Sequence, residues 1–150
     1  MIDPKFIGHR FATTTFTVEA GRIGAFASAI GATDPIHFDA RAARAQGYAD
    51  VVAPPTFLTV VEMERGRDPR CEALPDLLGL ELSRFLHGEQ EYEYLLPVCA
   101  GDCLEVSSFI KNIYSKRNGA LEFIVMEFHY RRQSGELAAI SRSTAVYRGQ

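Results

Sequence analysis

Along residues 20–31 the apolar side chains Ile23, Phe26, Ala27 and Ile30 recur at helical spacing, and Gly31 follows as a stop. Before them, residues 10–18 are rich in threonine and phenylalanine and predict a strand. Asp39 precedes an alanine-rich run closed by Gly47, the pattern of a capped short helix. Pro54-Pro55 predicts a further helix start, because proline is tolerated in the first helical turn. The segment that follows, from Thr56 to Met63, is apolar nearly all round at first, which predicts a buried helix ending near Gly66. Residues 68–83 hold Pro69, Pro75 and Gly79 and predict irregular chain. Strands are then predicted at 86–96, 102–114, 120–131 and 136–148, with turns at 97–102, 115–119 and 133–135. Residues 121–130 are apolar on both faces, so that strand should be covered on both. Strand, helix, short helix, buried helix and a run of antiparallel strands make an α+β chain, with a curved sheet around one central helix.

Composition narrows the function classes. The 150 residues suit a single domain spanning 1–150, long enough to bury a core without staples. A net charge of −3 with scattered basic residues gives no pull toward nucleic acid or an anionic membrane. No apolar run approaches the ~18 residues of a membrane span, and the N-terminus lacks a signal-peptide pattern, so a cytoplasmic protein is expected. The three cysteines, Cys71, Cys99 and Cys103, have no disulfide-framework spacing. No second Cys/His pair completes a zinc site, so no metal is expected. No glycine-rich phosphate loop follows a strand, which argues against a nucleotide-dependent reaction.

Candidate chemistry gathers in the loop Ala32-Thr33-Asp34-Pro35-Ile36-His37-Phe38-Asp39. His37 carries an imidazole, a side chain able to take and return a proton. Asp34, three residues earlier, can either orient that imidazole or start the Asp-Pro turn; the residues leave these roles about equally weighted. Asp39 is the helix cap. His87, at the start of a strand, can line a ligand channel or stand half-exposed. Gly88 permits a close approach beside it. Glu91, Tyr92, Glu93 and Tyr94 alternate as strand surface, and His9 and His129 have no motif around them.

Five segments, in this order and spacing, carry a family resemblance: Phe26–Gly31, Asp34-Pro35-Ile36-His37-Phe38-Asp39, Ala53-Pro54-Pro55-Thr56-Phe57, His87-Gly88-Glu89-Gln90-Glu91-Tyr92 and Pro97–Asp102. The chain resembles MaoC-like hot-dog proteins, the R-specific enoyl-thioester hydratases and 3-hydroxyacyl-thioester dehydratases. It looks most like the branch resembling the dehydratase region of fungal-type fatty acid synthase, which includes mycobacterial-type dehydratase subunits that work in pairs. The resemblance implies the hot-dog fold and reversible addition of water to a trans-2-enoyl thioester of coenzyme A or acyl carrier protein, without a cofactor.

Laid on the family's Asp-x-Asn-Pro-(Ile/Leu)-His motif, His37 falls on the catalytic histidine and Asp34 on the asparagine. The catalytic aspartate position is Ala32, which cannot ionise. Pro55 stands where related hydratases usually carry a glycine, so Thr56 or a later amide must supply the oxyanion donor. Three readings stay open. The chain is a working hydratase in which Asp34 replaces the missing acid; or it is the non-catalytic, acyl-binding member of a pair with a second MaoC-like chain; or it is an acyl-binding module without turnover. A homodimer or a heteromer with a second MaoC-like chain is expected, because the edge of a short curved sheet needs protection. Thioester hydrolysis by a hot-dog thioesterase is the rival reaction, with Glu62 and Glu64 as the carboxylates on the central helix. For the hydratase, the resemblance gives His37 and Asp34 as the catalytic candidates and Pro55, Thr56, His87, Gly88 and Gln90 as the substrate-binding ones, with Gln90 matching a family glutamine that either bonds the loop of His37 or faces solvent.

Overall fold

The computed structural model describes residues 1–149. Five antiparallel strands form one sheet: β1 (Thr14–Thr17), β2 (Phe85–Tyr94), β3 (Cys103–Lys116), β4 (Leu121–Arg132) and β5 (Leu137–Arg148). Their order across the sheet is β1-β3-β4-β5-β2, so β1 and β2 are the edges. Four helices, α1 (Ala20–Ala29), α2 (Ala40–Ala45), α3 (Leu58–Arg65) and α4 (Leu74–Leu78), lie between β1 and β2 in the chain. This is the expected α+β hot-dog layout.

The helices start and stop where local chemistry dictates. Asp39 accepts the Arg41 amide as the N-cap of α2. The chain leaves α1 through Gly31 at φ +73°, a conformation that favours glycine. Pro54 and Pro55 open a turn in which the Phe57 amide reaches the Pro54 carbonyl at 2.9 Å, and α3 begins only at Leu58. Phe57, Leu58 and Val61 are buried against Ile23 of α1 and against Leu104, Val106, Ile110 and Ile124 of the sheet. Each such side chain contributes about 1.5–3 kcal/mol from burial.

Two expectations need correction. The helix predicted to be buried all round buries only one stripe, Leu58, Val61 and Arg65, and leaves Met63 66% exposed. A helix lying across one sheet face has a solvent side, whatever its composition. Residues 68–83 are not wholly irregular: α4 forms with Pro75 in its first turn and ends at Gly79, φ +64°. The prolines and glycine that suggested loop are its start and stop signals.

The β4 pattern has two physical origins. Its inner side chains Ile124, Met126, Phe128 and Tyr130 are buried under the helices. On the outer face Phe123 stacks on Tyr114 at 4.8 Å between ring centroids, and the Lys116 ammonium lies over both rings. Side chains of the neighbouring strand β3 supply part of that cover. Gly88 sits at a β-bulge between His87 and Glu89, where a Cβ would meet Val146 Cγ2 at 2.7 Å and the Thr144 carbonyl at 3.1 Å. The close approach anticipated there is made by strand β5.

Candidate active site

The loop between α1 and α2 is built by its own turn residues. Pro35–His37 is a single 3-10 turn capped by Asp34, whose Oδ1 accepts the Ile36 amide at 3.1 Å. Ile36 is buried with Ala43, Val52 and Cys99, which ties the turn to the chain before the proline pair. Val52 is gripped twice. Its amide donates to the Ile36 carbonyl at 2.9 Å, and its carbonyl accepts from His37 Nδ1 at 2.7 Å. A carbonyl can only accept, so Nδ1 carries the proton. Nε2 of the neutral ring then bears the free lone pair. His37 is half-buried and Asp34 exposed. Asp34 Oδ1 accepts the turn amide, and among the described residues no hydrogen bond joins this carboxylate to the imidazole. Ala32 is half-buried; its amide closes the end of α1 on the Ala27 carbonyl at 2.9 Å.

Val52 also lines an apolar cavity of about 410 Å³, with Tyr48, Pro55, Tyr94, Leu96 and Val98 among its walls. The Tyr94 hydroxyl donates to the Pro55 carbonyl at 2.8 Å and joins β2 to the turn ahead of α3. Burial, reinforced by Tyr92 and Glu62 nearby, pushes the Tyr94 phenol well above its ordinary range, so it serves as a neutral donor. Thr56 is exposed in the same turn and is the first residue there after the prolines with an amide hydrogen. The turn's internal bonds run from the Phe57 amide to Pro54 and from the Thr59 amide to Thr56.

His87, Gly88 and Gln90 lie at the other end of α3. His87 Nε2 donates to Gln90 Oε1 at 3.0 Å, and Gln90 Nε2 donates to Glu62 Oε1 at 3.3 Å. Within the described residues Gln90 therefore binds Glu62 and not the loop of His37. The same Glu62 oxygen accepts Ser141 Oγ at 2.6 Å and the Tyr130 hydroxyl at 2.9 Å. Burial raises the Glu62 carboxyl above its ordinary range, against the opposing pull of Ser141, Tyr130 and Gln90. One turn earlier on α3 the hydroxyls of Thr59 and Tyr92 are hydrogen-bonded. Tyr92 and Tyr94, expected as strand surface, are half-buried and face the helix.

The structure thus brings His37, Pro55 and Thr56 toward one end of α3 and gathers His87, Gly88 and Gln90 at the other. Sequence reasoning missed Tyr94 and gave Glu62 little weight. The signal for Glu62 was its place four residues after Leu58 and beside Val61, on the stripe that had to be buried. Among the described residues no cluster of His, Cys, Asp and Glu is placed to hold a metal ion, and all three cysteines are free thiols. No helix among them is long and apolar enough to cross a membrane.

Residues 5–141 match the family model described as the FAS1-like dehydratase domain region. A UPF0336 protein of Streptomyces griseus is 37% identical over 98% of this chain and 95% of its own length. A second UPF0336 protein, from Leifsonia xyli, is 35% identical over 99% of this chain and 97% of its own. Among solved structures, a MaoC-like dehydratase superposes with a TM-score of 0.83 at 25% identity. That match covers 95% of this chain but only 42% of the other, so the present chain spans less than half of that protein's length. The HadBC (3R-hydroxyacyl-ACP dehydratase) complex of Mycobacterium tuberculosis superposes with a TM-score of 0.77 at 24% identity, over 94% of this chain and 96% of that one. With the sheet, the central helix and the matched span in agreement, the chain belongs to the MaoC-like hot-dog family, in its FAS1-like dehydratase-region branch.

Proposed function

We propose that this protein binds an enoyl thioester and catalyses its reversible hydration to the 3-hydroxyacyl thioester, with His37 as the proton-transfer group. One observation carries the reading: the Nδ1 bond to Val52 fixes the imidazole with Nε2 as its basic nitrogen, beside a chain segment that lines an apolar cavity. In the forward direction Nε2 takes a proton from water as the water oxygen bonds to C3. The C2–C3 π pair moves toward the thioester carbonyl as an enolate. The imidazolium returns its proton to C2 as the enolate collapses, so one water is added and the base is regenerated. The exposed Thr56 amide and hydroxyl supply donors for the carbonyl oxygen ahead of α3. Asp34 acts as a positioning residue, through the turn that presents His37.

A second reading is favoured by a specific pair of facts. Ala32 has no acid to offer, and the Asp34 carboxylate is already engaged by the Ile36 amide. On this reading the chain binds the acyl group and a second MaoC-like subunit completes the proton-transfer pair. The HadBC and ChsH1–ChsH2 structures of the same fold are each named as complexes, which supports a paired assembly.

The test is hydration of crotonyl-CoA by the purified chain, beside His37→Ala. Turnover should fall by at least about 100-fold in the variant. A folded chain that turns over nothing alone, but does so when mixed with a second MaoC-like subunit, would select the paired reading. Release of free thiol without loss of the double bond would replace hydration by thioester hydrolysis.

A further inference from the structure

The seam between α3 and strand β2 is joined by a ladder of polar contacts. From the turn ahead of α3 into the helix, the Pro55 carbonyl meets the Tyr94 hydroxyl, the Thr59 hydroxyl meets that of Tyr92, and Glu62 meets Gln90. The spacing is the one the two elements impose. The step of three from Thr59 to Glu62 returns to the same helix face, and steps of two return to the same strand face. The helix advances toward its C-terminus as the strand runs back toward its N-terminus, so the rungs stay in register. Behind the last rung Tyr130 and Ser141, both fully buried, donate to the same Glu62 oxygen.

Tyr94 and Pro55, the partners of the first rung, are among the walls of the apolar cavity beside Val52. An acyl chain entering there and continuing along the seam would have to separate the rungs one after another. An alkyl chain offers no partner to the hydroxyls, amide and carboxyl it would free. We infer that Tyr94, Tyr92, Thr59 and Glu62 form a polar stop that restricts this protein to short-chain acyl thioesters. The inference rests on the thioester reading above and adds the class of acyl group to it. The stop acts by closing space, so it serves a turnover enzyme and an acyl-binding subunit alike.

The experiment measures the affinity of saturated butyryl-, hexanoyl-, octanoyl- and dodecanoyl-CoA by titration calorimetry, which needs no turnover. An open apolar channel would tighten binding about 4-fold per added methylene. With the stop, affinity should change by less than about 3-fold from butyryl- to dodecanoyl-CoA. A variant combining Thr59→Val, Tyr92→Leu and Tyr94→Leu removes three of the four hydroxyl and carbonyl groups of two rungs, leaves only the Pro55 carbonyl of them, and reduces the bulk along the seam. In it, octanoyl-CoA should bind at least about 10-fold more tightly than butyryl-CoA. The wild-type profile stands as a test if that variant fails to fold. Affinity that climbs steadily with length in the wild type overturns the stop while leaving the thioester reading intact. A folded variant whose profile stays flat also overturns it. Binding of no acyl-CoA at any length overturns both.

Discussion

At the scale of single residues, the loop of His37 illustrates how much a short polar motif settles by itself. Proline sets its own φ, aspartate ahead of it accepts an amide two residues on, and the turn follows. The candidate pair was therefore legible as residues, but not as a geometry. The decisive contact, His37 Nδ1 to the Val52 carbonyl, joins segments 15 residues apart and depends on Ile36 being buried between them. The same geometry sorts the roles of Asp34. Asparagine keeps the oxygen that accepts the Ile36 amide, whereas alanine removes it. Asp34→Asn should leave both the melting temperature and the chemistry of His37 close to wild type. Asp34→Ala should cost about 0.5–1 kcal/mol of stability and lower activity through a loosened turn. Thermal unfolding and initial rates of the two variants check this. A large rate loss in Asp34→Asn at unchanged melting temperature would restore the carboxylate to the chemistry.

At the scale of elements, the long strands were readable because alternation and turn residues repeat along them, and their ends fall within a residue or two of expectation. The ladder between α3 and β2 was not readable. Tyr92 and Tyr94 alternate with glutamates, a pattern that fits solvent exposure as well as it fits one face under a helix. Only the packing of α3 on that face separates the two. Glu62 shows the energetic consequence. In the unfolded chain its carboxyl titrates near the ordinary value of 4.5; in the fold, burial raises it. The folded state therefore holds that proton more tightly. Its contribution to stability is complete below the ordinary value and is lost as pH rises through the folded value. Glu62→Gln keeps an oxygen for Tyr130 and Ser141 but cannot ionise. The variant should unfold at a higher temperature than the wild type at pH above neutral, and at nearly the same temperature at about pH 4. Melting curves across that range decide it; a gap that is constant with pH would mean that the Glu62 charge is not the cost.

At the scale of the whole molecule, the two sheet edges are unequal. Strand β1 is four residues long, whereas β2 is ten residues long and pairs on one side only, with β5. An open edge of that length is a template for another chain. Alternation places Glu89, Glu91 and Glu93 on the face of β2 opposite Tyr92 and Tyr94. Arg142 pairs with Glu91 and Glu93, but the same guanidinium also serves Glu127. Burial would raise the Glu127 carboxyl, yet hydrogen bonds from Lys111, His129 and Arg142 outweigh it and bring it down to about 2. Arg142 is thus committed to an anion at neutral pH and only partly offsets the edge. Two copies joined along β2 would set their glutamate rows against each other, a repulsion that salt screens. Self-association should therefore tighten as salt rises from about 50 mM to about 500 mM, by roughly 3- to 10-fold in dissociation constant. Sedimentation equilibrium at the two salt concentrations measures this directly. A dimer that loosens with salt would show that complementary charges hold it, and would move the joint away from this acidic edge. If the expected trend holds, a partner subunit carrying basic residues on the facing strand should displace the second copy at low salt. That preference would give the proposed pairing of subunits a physical basis in one strand.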